Sequence, residues 1–460
     1  MTIFQKSFIL LIIWNFSLFA FSDMKIEITH GINTAHPIAV IPFINNENIT
    51  HELNNDNIED IASIIAADLR NSGKFNTLPI AYLPYQPSKL TDIIPTFWEK
   101  LGINTVVLGA INIKNENYVI SYQLIDTSNN PALVILDNQY EIEKKHLRYT
   151  AHTISDEIFE KLTGIKGVFC TRIAYILYTN NIKYAYELCT SDYDGHNQVS
   201  ICRSSEPLMS PAWSPDGKKL AYVTFASGHS ELIIQTLTNR SIDNIIQFPN
   251  HNGAPAWSPD GKKLAFSLSK TGSLNLYIMD LSSNNIQQIT SNRYNNTEPS
   301  WFPDSQNLAY TSDQGGVPQV YKININNNRD SHRISWLNGS NQKPNISMDG
   351  TFMVMVNRNK GKQYISKLNF LTGEEETLTA DSVLADTPSI SPNGIMFMYS
   401  SIILNNSSSE LYLDKKFTNI PDNNQSILSL ASIDGKFKAH LNGSTGSIRF
   451  PTWSSLSCSY

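Results

Sequence analysis

No pair of cysteines in this chain stands at the Cys-x-x-Cys spacing that binds zinc or exchanges disulfides. Cysteine itself is scarce, four in 460 residues. Cys170, Cys189, Cys202 and Cys458 are too few for a disulfide scaffold and read as packing residues, although an exported chain would permit their oxidation. No stretch is dense in lysine and arginine, and the formal net charge is −6. That excludes the basic face a nucleic-acid binder needs to neutralise phosphate. Long apolar runs are missing beyond residue 22, so no later helix is expected to span a membrane. Catalytic motifs are missing too. There is no Gly-x-Ser-x-Gly elbow, no His-Glu-x-x-His, no phosphate-binding loop and no Gly-x-Gly-x-x-Gly. These residues indicate no enzyme, no cofactor and no metal site.

One apolar run does occur, at the start. Lys6 is the only charge before Asp23, and Ser7 to Phe21 reads SFILLIIWNFSLFAF. That run falls short of the roughly 20 residues a spanning helix needs. Ala20 and Ser22 place small residues at the −3 and −1 positions of a cleavage site. Residues 1–22 therefore read as a signal peptide, with an uncleaved anchor as the alternative. No cysteine follows to carry a lipid, and the mature chain is expected to be soluble.

Internal repetition is the strongest signal. PAWSPDGKKLAY begins at Pro211, PAWSPDGKKLAF at Pro255 and PSWFPDSQNLAY at Pro299, with weaker copies at Pro344 and Pro388. Successive starts lie 44, 44, 45 and 44 residues apart. Each unit has a strand around Trp213, a Ser-Pro-Asp-Gly reversal in which Gly217 takes the left-handed conformation, and a returning strand such as Leu220 to Val223. Two further strands complete it. Four strands in about 44 residues is the size of a propeller blade. The "Leu-Ala-Tyr" strand also occurs at Arg172 to Tyr175 with no first strand before it, and Pro451-Thr452-Trp453 is a first strand with nothing after it. The two predict one shared blade that seals a six-bladed ring. The 63 residues from Pro388 to Pro451 put an insertion in the sixth unit, placed near Asn405 to Gln425.

Residues 23–167 follow another grammar. Ile38 to Phe43 predicts a strand, and Ile58 to Leu69 a helix capped by Asp56 or Asn57. Thr91 to Leu101 predicts a second helix. Val106–Ile111, Tyr118–Ile125 and Ala132–Ile142 predict strands, and Leu147 to Leu162 a helix stopped by Gly164. The expected fold is an α/β N-terminal domain followed by an all-β six-bladed β-propeller over residues 168–460.

Asp216, Asp260, Asp304 and Asp349 sit in turn slots, where turn chemistry explains them without catalysis or metal. Ser191 to Gly195 reads SDYDG; it loosely resembles a calcium loop but lacks the full ligand ladder, so a hairpin turn is expected. His251 stands in a loop just before a blade's first strand. The loops entering these strands, among them His251–Ala254, Asn296–Glu298 and Asp386–Thr387, are polar and gather around a concave mouth suited to protein or peptide capture.

Ordered runs over nearly all of the mature chain resemble one family. They include AADLRNSGKF from Ala66, FEKLTGIKG from Phe159, HNGAPAWSPDG from His251, NNTEPSWFPDSQNLAY from Asn295 and DGKFKAHL from Asp434. On these the chain resembles TolB, the periplasmic propeller family of the Tol–Pal system of Gram-negative bacteria. The resemblance implies a non-catalytic periplasmic adaptor that serves outer-membrane integrity and envelope constriction at division. It implies a propeller mouth that binds the peptidoglycan-associated lipoprotein Pal, at positions matching His251, Ala254 and Thr297. It also implies an N-terminal segment that engages TolA, here Asp23, Met24, Lys25, Ile26, Glu27 and Ile28, with the alternation that suits strand addition. Whether that segment is docked or free stays open. The chain departs from the pattern at Ile346 and Ile390, where tryptophan is usual, and at its SSLSCSY end. Two other functions compete. An enzyme on a propeller would need a convergent acid/base or metal cluster in the channel, and a purely structural module would tolerate loss of residues 23–29.

Overall fold

The computed structural model describes residues 25–30, 35–45, 60–79, 83, 85–270, 272–327, 330–379, 384–402, 426–442 and 446–455. The signal peptide, the insertion near Asn405–Gln425 and Cys458 lie outside them.

The N-terminal sheet is mixed. His36–Val40 runs parallel to Phe75–Thr77 on one side and to Thr105–Lys114 on the other, and Asn117–Asp126 and Leu133–Ile142 follow antiparallel. Side chains alternate across a strand, so His36–Val40 and its continuation serve two cores. Ile38 and Val40 pack with helices α1 (Ile61–Asn71) and α3 (Leu147–Thr163), whereas Ala39 and Ile41 pack with Trp98 of α2 (Pro95–Lys100).

Three helix boundaries can be compared with expectation. The expected caps of α1 lie outside the described residues, and Asp60 caps it instead. Its backbone is extended and its Oδ2 accepts from the Ser63 amide at 3.2 Å, so the helix starts three residues later than periodicity suggested. The single helix expected over Thr91–Leu101 is two pieces, a 3-10 turn at Leu90–Asp92 and α2. Pro95 is the reason: it disfavours helix for the residue before it, and Ile93 and Ile94 are extended. Helix α3 ends at Gly164, which adopts φ 72°, as expected.

The propeller follows as six blades. Blade 2 is Leu208–Trp213, Lys219–Thr224, Glu231–Thr236 and Ile242–Ile246. Blades 3, 4, 5 and 6 begin at Asn252–Trp257, Asn296–Trp301, Ser340–Ile346 and Leu384–Ile390. Blade 1 is built from both ends of the propeller sequence: Ser447–Trp453 pairs antiparallel with Arg172–Tyr178, placing the last strand innermost. The innermost strands touch in succession from blade 2 to blade 6, and Ser447–Trp453 touches both. This is the closure read from the two orphan half-repeats, and it hides sheet edges that would otherwise pair elsewhere.

The repeated motif residues have visible work. Ser214 Oγ accepts from the Lys219 amide at 2.9 Å and donates to Asp216 Oδ1 at 2.6 Å, and Asp216 in turn accepts from the Lys218 amide. Blades 3 and 5 repeat this with Ser258 and Asp260, and with Ser347 and Asp349. Burial alone would raise these carboxyls, but the donated hydrogen bonds outweigh it and hold Asp216, Asp260 and Asp349 below the ordinary range. The indole N–H groups of Trp213, Trp257 and Trp301 donate to carbonyls of the preceding blade, at Thr452, Ala212 and Ala256. At Ile346 and Ile390 no indole exists. There the backbone amides donate to side chains of the preceding blade, Ser300 Oγ at 3.1 Å and Asn345 Oδ1 at 2.8 Å. The departure from the repeat is thus met by a substitute inter-blade bond.

The two parts share a core. One buried cluster runs from Ile65, Leu69 and Ile158 through Phe169, Tyr175 and Tyr193 to Phe437, Leu441 and Trp453. At the joint, Asp156 of α3 accepts the amides of Phe169 (2.8 Å) and Cys170 (3.2 Å), and a Cβ on Gly167 would collide with its carboxylate.

Candidate functional site: the channel mouth and the N-terminal strand

Every innermost strand carries the same irregularity. The pairing register shifts between Met209 and Ala212, Gly253 and Ala256, Thr297 and Ser300, Gln342 and Asn345, Asp386 and Ser389, and Arg449 and Thr452. Within each bulge the residue before the proline has positive φ: Ser210 49°, Ala254 51°, Glu298 55°, Lys343 53°, Thr387 47° and Phe450 52°. Left-handed backbone costs a non-glycine residue about 1–2 kcal/mol, and a following proline disfavours helical geometry further. Six such residues persist because closing the ring over-determines them. All six line a central cavity of about 550 Å³, whose wall also includes the six prolines that follow them.

The girdle is charged on one side. Half-buried Glu298 accepts from Thr311 Oγ1 at 2.7 Å and from the Lys343 amide at 3.0 Å, while Lys343 Nζ lies 2.7 Å from Asp386 Oδ1. Burial pushes the Glu298 carboxyl up, against the pull of Lys343. This seam joins blades 4, 5 and 6.

The three predicted mouth positions fall on blades 3 and 4. His251 is half-buried, and burial holds its imidazole below the ordinary value, which keeps it neutral at pH 7. Its amide donates to Ser269 Oγ at 2.8 Å. Its ring folds over Gly253, where a Cβ would stand 2.5 Å from Nε2. Gly253 pairs with Ser267, and Ser267 Oγ donates to Thr297 Oγ1 at 3.1 Å. Ala254 holds its left-handed position in the girdle beside them. Gly253 and Ser267 thus join His251 and Thr297 into one wall beside Ala254, and of the three predicted positions Ala254 alone lines the central cavity.

What anchors that wall is absent from the motif reading. Asn252, Asn296 and Asn341 are fully buried. Asn252 accepts from the Phe248 amide at 2.9 Å and donates to the Ser230 and Phe248 carbonyls. Asn296 and Asn341 donate to Asn292 Oδ1 (2.8 Å) and the Leu337 carbonyl (2.9 Å). Each tethers the loop that enters its strand. A signal existed: all three stand three positions before the blade's proline.

The N-terminal segment forms strand Lys25–His30, paired antiparallel with Lys438–Asn442, the outermost strand of blade 6. Lys25 faces Asn442, Ile26 faces Leu441, Glu27 faces His440 and Ile28 faces Ala439, with an irregularity before His30. Ile28 is half-buried against the shared core. The segment is docked here, as a fifth strand of its own propeller. Asp23 and Met24 lie outside the described residues.

A model of the TolB amino-terminal domain matches residues 24–133, and a model of the TolB beta propeller domain matches residues 159–457. The Tol-Pal system protein TolB of Blochmanniella pennsylvanica (strain BPEN) is 64% identical over 450 residues, 97% of this chain and 94% of that one. The protein of the same name from Hamiltonella defensa subsp. Acyrthosiphon pisum (strain 5AT) is 53% identical over 453 residues, 98% of this chain and 99% of that one. The crystal structure of TolB from Acinetobacter baumannii superposes with a TM-score of 0.80 at 30% identity, covering 94% of this chain and all of that one.

Proposed function

The chain belongs to the TolB family of Tol–Pal system proteins, and from that premise we propose that it is a periplasmic, non-catalytic adaptor with two docking elements. The channel mouth receives the lipoprotein Pal, and the segment from Asp23 to Ile28 engages TolA. The adaptor thereby serves outer-membrane integrity and envelope constriction at division.

The observation that carries this reading is the pairing of Lys25–His30 with Lys438–Asn442. A strand held at a sheet edge by backbone hydrogen bonds exchanges readily for pairing with a partner's edge, because both use the same donors and acceptors. The neutral His251, the strained Ala254 and Thr297 add a preorganised wall at the mouth, which loses little order on binding.

Hydrogen exchange over residues 25–30, with and without Pal, tests whether the two elements are coupled; a change in their protection is expected, and identical protection counts against coupling. His251→Ala combined with Thr297→Ala is expected to abolish Pal capture from native envelopes while leaving the fold intact. A folded double variant that captures Pal as well as the parent removes the mouth assignment.

A further inference from the structure

The SDYDG turn does more than reverse the chain. It starts at the end of Tyr186–Asp192, leads toward Val199–Ser204 of blade 1, and carries Tyr193 and Asp194 into the N-terminal domain. Tyr193 is 1% exposed, and its hydroxyl donates to Asp68 Oδ1 of α1 at 2.6 Å. The other oxygen of Asp68 meets His152 Nδ1 of α3 at 2.8 Å, and both residues are buried. The far nitrogen of that ring, Nε2, lies 3.9 Å from Asp194 Oδ2. Arg148, one turn earlier on α3, donates to the same Asp194 carboxylate. Two carboxylates and two basic side chains thus alternate across the junction, one carboxylate from each domain.

Charge bookkeeping decides what His152 is. A neutral imidazole protonated at Nδ1 would still donate to Asp68, but it would turn the lone pair of Nε2, which has no hydrogen-bond partner, toward the Asp194 carboxylate in a site shut off from water. A cationic ring donates from Nδ1 to Asp68 and turns its second N–H toward Asp194. Asp192, Asp156 and His196 also face this group. Burial opposes charge on His152, but Asp68 and Asp194 outweigh it. Asp68, His152 and Asp194 do offer ligand atoms within 4.8 Å of one another. Arg148 sits on Asp194, however, and a divalent cation there would face a guanidinium.

We propose that the SDYDG hairpin is an interdomain latch in which a protonated His152, clasped between Asp68 and Asp194, locks the N-terminal domain onto blade 1. Losing that proton, or either carboxylate, unlatches the junction.

Histidine-selective NMR of the full chain is the direct test. His152 is expected to remain protonated at pH 8 and to lose its proton in step with loss of amide protection over residues 190–198. Protection in blades 3 and 4 stays unchanged. Asp194→Asn should lower the His152 titration and raise exchange in residues 147–156 and 190–198 by roughly tenfold or more, the change that 1.4 kcal/mol produces. Zinc added to the wild-type chain should shift neither. A wild-type His152 that is neutral at pH 7, or one whose resonances move on adding zinc, overturns the proposal, and this reading needs no variant to fold.

Discussion

Gly253 has no side chain, and His251 occupies the space that leaves. Gly253→Ala would put a methyl 2.5 Å from Nε2, so the ring must swing out of the wall. The backbone there does not need glycine, since no positive φ occurs at this position. The expected result is a stable fold with roughly tenfold weaker Pal binding, about 1.4 kcal/mol, measured by calorimetric titration; unchanged affinity would remove His251 from the wall. His152 makes a different single-residue prediction. Its value rises from 6.5 unfolded to about 9 folded. The proton is held more tightly in the native state, so this contribution is full below pH 6.5 and is lost as pH rises through about 9. Urea unfolding at pH 7 and pH 10 should differ by about 2 kcal/mol more in the wild type than in His152→Gln. Equal pH responses would show that the imidazole carries no charge there.

The strands that differ from the repeat are as informative as those that keep it. At Ile346 and Ile390 the inter-blade tie comes from Ser300 and Asn345. Ser300→Ala or Asn345→Ala would strand the amide of Ile346 or Ile390 in a buried setting, which costs about 1–3 kcal/mol. Thermal unfolding is expected to drop for each, whereas Ser227→Ala on an exposed loop should leave it unchanged; equal Tm values would show the tie to be idle. These ties were not legible in advance, because each joins residues 45 or 46 positions apart in neighbouring blades, and the slot after each proline, held by Ser300 and Asn345, is not fixed to one residue type by the repeat. The blade count was legible, because turn chemistry forces Pro, Asp and Gly into fixed slots at a constant period. Helix boundaries were legible only where a single residue dictates them. Gly164 stops α3 by its left-handed backbone. At α1 the capping hydrogen bond to Asp60, rather than apolar periodicity, sets the start.

Across the molecule, the interface between the two parts was the least legible feature. Asp68 and Tyr193 are 125 residues apart, and neither sits in a periodic pattern that would pair them. The mouth was partly legible: the loops announced it, but the six left-handed residues of the girdle arise only when the ring closes and bulges every inner strand. Closure depends on Trp453, 6% exposed, whose indole donates to Thr171 Oγ1 at 2.7 Å and whose amide donates to Ser389 Oγ at 2.9 Å. It therefore ties blade 1 to blade 6 and to the interdomain joint at once. Trp453→Ala should cost about 3–5 kcal/mol, the usual loss for a buried tryptophan. Because one apolar cluster runs from α1 through the joint to blade 6, that loss is not confined to the propeller. Calorimetry should show the variant unfolding in a single transition at lower temperature, with N-terminal and propeller probes melting together. Two separated transitions, with the N-terminal probes at the wild-type temperature, would show that the shared core does not couple the two parts.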